Sequence, residues 1–102
     1  MSVEPMTAML ELPQLSGGRR RAAALVDAGH LPDDLSDASV TIDARQLLAG
    51  TESFADELVK ILLLDRKAET LNVINVSDDF ALFLEQAAKT HSVSRRLVVD
   101  RF

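Results

Sequence analysis

Between positions 51 and 57 the chain reads Thr51-Glu52-Ser53-Phe54-Ala55-Asp56-Glu57, which puts two hydroxyls and three carboxylates into one short stretch. A fourth carboxylate, Asp43, lies just upstream. Carboxylates gathered in this way are the raw material of an acid/base dyad or of a divalent-cation site, because hard cations take oxygen ligands. The same acids also suit the first turn of a helix, whose unpaired N–H groups and dipole favour negative charge. No histidine stands near them in sequence to act as a general base. The acids are therefore read as helix-start charge, and no catalytic residue, metal or cofactor is expected. A different chemistry fits the hydroxyls: a phosphoryl group on Ser53 or Thr51 would meet free backbone N–H groups at the helix mouth. It would also add about two negative charges to an acidic surface.

The rest of the chain offers little competing chemistry. There is no G-x-x-x-x-G-K-[ST], G-x-G-x-x-G or G-x-S-x-G string, and Gly17-Gly18 before a helix is a plain turn. With no cysteine there is neither a thiolate nucleophile nor a disulfide framework. His30 and His91 lie far apart and read as helix-end residues, where the dipole favours them. Arg19-Arg20-Arg21 reads as a solvated helix face. A net charge of −5 repels phosphate backbones, so nucleic acid is not an expected partner. The longest apolar run, Ile61-Leu62-Leu63-Leu64, is too short to span a bilayer, and no signal peptide is discerned. A cytoplasmic protein without membrane insertion is expected.

The elements that must position the 51–57 stretch follow from pattern. Hydrophobic residues make up 47% of the 102 positions, enough for one packed domain, and residues 1–5 are expected to be a flexible N-terminus. Residues 6–12 read as a strand stopped by Pro13. Ser16 is expected to open a helix that runs over 19–28, with Ala22, Leu25 and Val26 inward and Gly29 as its stop. After a polar loop, residues 39–43 read as a strand with Val40 and Ile42 on one face, followed by a loop over 44–52. Ser53 is expected to cap the second helix, with Asp56 completing a capping-box-like pair. Phe54, Leu58, Ile61 and Leu62 share one face of that helix, which should end near residues 65–67. Residues 71–76 carry apolar side chains on both parities and read as a central strand covered on both faces. Ser77 caps a third helix running to about Thr90, with Phe80, Phe83, Leu84, Ala87 and Ala88 as its buried stripe. Residues 97–99 form a last strand, a candidate edge for a homodimer. Strands alternating with helices imply an α/β fold with a largely parallel sheet and right-handed crossovers.

The string Ser53-Phe54-Ala55-Asp56-Glu57-Leu58, placed after a strand Val40-Thr41-Ile42-Asp43, resembles the signature of the bacterial STAS-like family within the STAS superfamily of sulfate transporters and anti-sigma factor antagonists. Asn75-Val76-Ser77-Asp78-Asp79-Phe80 is similar to that family's strand-to-helix turn, with Asp78 where Pro is common. The resemblance implies a small domain with a four- or five-stranded, mostly parallel or mixed sheet and helices mainly on one side. It also implies a non-catalytic role. In anti-sigma factor antagonists the unphosphorylated domain binds a kinase-type partner, and a phosphoryl group at the start of the second helix releases it. The usual D-S-S-G motif is replaced here by Thr51-Glu52-Ser53-Phe54. Glu52 stands at the usual phosphoacceptor and Ser53 at the second serine, so Ser53 and Thr51 are the candidate acceptors. The expected partner is a kinase-like or ATPase regulatory protein, met through Leu47, Leu48, Thr51, Glu52, Ser53, Asp56 and Glu57. The alternative is a constitutive subunit of a larger assembly, such as one built on a transporter ATPase.

Overall fold

The computed structural model describes residues 6–101, and the expected flexible stretch 1–5 lies outside them. Strands β1 (Met6–Glu11), β3 (Ala38–Asp43), β5 (Thr70–Val76) and β6 (Leu97–Arg101) form one sheet in the order β1-β3-β5-β6. Every pairing in it is parallel. Helices α1 (Arg19–Ala28), α2 (Glu52–Val59) and α3 (Asp78–Thr90) make the three crossovers. The strand order advances in one direction, so right-handed crossovers place all three helices on the same face. Helix α2 lies in the middle of that layer and touches both α1 and α3.

Burial follows from this arrangement. Ala8 and Leu10, Val40 and Ile42, and Leu71 and Val73 point under the helices and are buried. Thr7, Met9, Ser39, Thr41, Thr70 and Asn72 alternate with them and are exposed or half-buried on the uncovered face. Phe54, Leu58, Leu62 and Leu63 meet these strands from above in one continuous core.

The expected alternation of strands and helices is observed, and so is the α/β class. Several boundaries need correction. Ser16 does not open α1: it lies in a two-residue strand, β2 (Leu15–Ser16), is 1% exposed, and donates to the Pro13 carbonyl. Gly18, at φ 82°, makes the turn into the helix instead, in a left-handed conformation that glycine adopts without strain. The loop expected over 44–52 contains β4 (Ala49–Gly50), which pairs with β2 in a second, parallel ladder. The second helix passes at Lys60–Asp65 into a wide π-helical turn, closed by the Arg66 N–H on the Ile61 carbonyl at 2.9 Å.

Strand β5 is covered on one face only. Its apolar residues change parity because of a bulge between Ile74 and Val76, where Asn75 takes φ 56°. The extra residue turns Val76 back toward the core alongside Leu71 and Val73. The Ser77 cap is observed, with its hydroxyl accepting from Phe80 N–H at 3.5 Å, and α3 ends at Thr90. Strand β6 is an edge of the sheet. Among the described residues no helix is long and apolar enough to cross a membrane.

Candidate functional site

The residues of the 51–57 stretch collect where α1 and α2 begin, against the outer side of α3. Thr51, not Ser53, is the N-cap of α2. Its backbone is extended, with φ −97° and ψ 157°, and its hydroxyl accepts from Phe54 N–H at 3.2 Å. The same oxygen accepts from Gly18 N–H at 3.0 Å, so one side chain ties the starts of two helices together. Pairing of the short strands holds it there, through Thr51 N–H donating to the Ser16 carbonyl at 3.0 Å. Ser53 lies within the first turn, half-buried, with its hydroxyl 3.2 Å from that of Thr51.

Asp56 is therefore not the partner of a capping serine. One of its oxygens takes Arg19 Nη1 at 2.6 Å and the other meets His91 Nε2 at 2.9 Å. Glu57 shares the Arg19 guanidinium at 3.2 Å. Burial pushes the Asp56 carboxyl up, but the hydrogen bonds and charges of Arg19 and His91 outweigh it and hold the group below the usual carboxylate range. Arg19 and His91 were not legible as site residues. Arg19 belongs to a run read as solvated, and all three arginines are exposed, but Arg19 also reaches Asp56 and Glu57. His91 does end α3, but it meets Asp56 only through the crossing of α3 over α2, which leaves no local signal.

The acidic group does not gather around one point. Asp43 turns away to accept from Asn75 Nδ2 at 3.1 Å and Arg45 N–H at 2.9 Å, and these hydrogen bonds hold its carboxyl below the usual range. Among the described residues no group of three or more His, Asp or Glu side chains is placed to hold a metal ion. His91 is bonded to Asp56, and the Ser53 hydroxyl to Thr51, so the nucleophile–base contact of acyl transfer is not formed between them.

Two depressions flank this corner. A groove of about 890 Å³ is lined by Arg19, Thr51, Glu52, Ser53 and Asp56 on one side and by Phe83, Gln86, Lys89 and His91 on the other. A smaller one of about 420 Å³ is lined by Leu47, Leu48, Gly50, Ser77, Asp79, Phe80, Leu82 and Phe83. Phe83 borders both. Its ring meets Phe80 edge-on at 6.4 Å, and Phe80 meets Phe54 at 6.3 Å, so the wall between the depressions is anchored in the core. Leu48 is 76% exposed and Leu82 56%. Of the expected contact residues, Thr51, Glu52, Ser53 and Asp56 line the groove and Leu47 and Leu48 the smaller depression, while Glu57 stands behind Arg19. Phe83 is expected in the buried stripe of α3 but is only half-buried and faces both depressions, and Leu82 is not singled out by the sequence. Leu82 carries a signal in retrospect, since it is a large apolar residue outside the Phe80, Phe83, Leu84, Ala87, Ala88 stripe.

No family model, curated protein or solved structure matches the chain.

Proposed function

We propose that this chain is a non-catalytic regulatory module that binds another protein through the corner where α2 begins, in the manner of an anti-sigma factor antagonist. The observation that carries the reading is the exposure of Leu48 and Leu82 at a depression of about 420 Å³, next to the groove that the Thr51 and Ser53 side chains line. Large aliphatic side chains left in water next to a polar rim are the usual make-up of a protein contact. The likeness of Ser53-Phe54-Ala55-Asp56-Glu57-Leu58 to the STAS-like signature supports the same face. The partner is a kinase-like or ATPase regulatory protein, and the place of action is the cytoplasm.

Ser53 is the better phosphoacceptor of the two hydroxyls. Thr51 Oγ1 is taken up by two backbone N–H groups, whereas among the described residues Ser53 Oγ meets only Thr51. A phosphoryl group on Ser53 changes the charge of the groove by about two units. A second reading, a constitutive subunit without switching, is favoured by Glu52, which puts a permanent charge where the resembling family carries its acceptor.

Affinity capture from the source cells separates these readings. The wild-type chain recovers one stoichiometric partner, Leu48→Ser loses it, and Ser53→Asp alters its recovery. Unchanged recovery with Ser53→Asp rejects the switch alone. Unchanged recovery with Leu48→Ser rejects the surface.

A further inference from the structure

The depression between Leu48 and Leu82 has a charge border that says what kind of segment it takes. Its floor carries no side chain at Gly50, where an added Cβ would meet the Phe80 ring at 2.5 Å. Leu47, Leu82 and Phe83 form the walls. Asp79 stands on the rim at the start of α3, and among the described residues no Lys, Arg or His lines the depression, while exposed Glu52, just past Gly50, lines the neighbouring groove. Among the described residues neither Asp79 nor Glu52 is in an ion pair. Glu52 shares the neighbouring groove with Lys89, so Asp79 alone sets the charge of this depression. Among the described residues the rim thus carries one unpaired acid and no cation, on a chain of net charge −5.

We infer that this depression receives the apolar side chains of a partner segment whose flanking residues are Lys or Arg. The inference rests on the protein-binding reading and adds the chemistry of the partner. Exposed leucines on two separate elements, with Phe83 between them, suit an amphipathic helix that presents anchors one turn apart. A basic flank would then lie against Asp79. A second copy of this chain is a poor occupant, because its own exposed leucines carry the same acidic border. A two-fold contact through this patch would bring like charges together.

The test uses the whole chain, immobilised and panned against short random peptides displayed on phage. Selected peptides are resynthesised and titrated by fluorescence anisotropy at low and high salt. The expected sequences carry two large apolar residues at helical spacing with Lys or Arg beside them. They bind Leu48→Ser or Leu82→Ala about tenfold more weakly, since a buried anchor is lost. Asp79→Asn weakens them at low salt, and the difference fades at high salt. Circular dichroism confirms that each variant is folded. Selection of acidic or uncharged peptides, or indifference to Asp79→Asn, overturns the inference. So does a self-associated chain in sedimentation whose dimer is lost with Leu48→Ser. Dependence on Leu48 tests the surface and dependence on Asp79 tests the charge, so a partner captured in cells that needs the first but not the second leaves the protein-binding reading intact.

Discussion

Thr51 and Ser53 present the same chemistry two residues apart, and the structure distinguishes them by what reaches each oxygen. A local pattern favours Ser53, because Asp56 follows at capping-box spacing. The deciding donor is Gly18 N–H, which arrives from the start of another helix and leaves no trace in the surrounding sequence. Thr51→Ala should therefore destabilise the fold by about 1–2 kcal/mol, as loss of a helix cap does. Thr51→Ser retains most of that stability, and Ser53→Ala changes it little. Urea unfolding checks all three, and a larger loss with Ser53→Ala than with Thr51→Ala contradicts the assignment. Asp56 gives a pH dependence of definite sign. Its carboxyl is held below the usual range in the folded chain, so its contribution is present above the unfolded value, about 3.9, and is lost as pH falls through the folded one. Asp56→Asn should flatten the acid limb of the stability curve below about pH 4 while lowering stability at neutral pH. A parallel acid limb in the two proteins counts against the Arg19–Asp56–His91 arrangement.

The elements were legible wherever they were long enough to show a period. The stripe on α3, the Ser77 cap and the strand ending at Asp43 follow directly from the spacing of apolar and capping residues. Strands β2 and β4, at two residues each, are too short to leave a pattern, and only their mutual pairing defines them. The wide turn after α2 leaves Leu62 and Leu63 fully buried and Leu64 44% exposed. Arg96 fastens this turn, donating from Nη2 to the Leu63 carbonyl at 2.6 Å and from Nε to the Ala68 carbonyl at 3.0 Å. Arg96→Gln should cost about 1–3 kcal/mol, because partly buried carbonyls lose charged donors. Thermal unfolding measures the loss, and amide exchange should quicken around residues 62–68. Gly50→Ala tests β4, since the new methyl has to displace the Phe80 ring. An expected loss of about 1–3 kcal/mol follows from overpacking, and an unchanged melting temperature argues against the close approach.

At the scale of the molecule, the helix layer lies on one face and the opposite face of a fully parallel sheet carries Thr7, Ser39, Thr41, Thr70 and Asn72. Parallel sheets are usually covered on both sides; here the open face is mostly polar but also carries exposed Met9 and Val98. The sequence suggested two-sided cover because Leu71, Val73, Ile74 and Val76 fall on both parities. The bulge at Asn75 accounts for Val76 without a second layer. The candidate site was half legible for a related reason. Its contiguous part, residues 47–57, stands out as a cluster, while Arg19, Leu82, Phe83 and His91 join it only through the packing of α1 and α3 on α2. The account as a whole stands on the corner built from these parts being a surface for another protein. The most direct measurement is site-specific photo-crosslinking in the source cells, with the probe at position 48, at position 82 and at exposed Glu69, which lies just before β5. The same single adduct is expected from 48 and 82 and none from 69. Equal labelling from all three positions, or no adduct from 48 and 82, contradicts it.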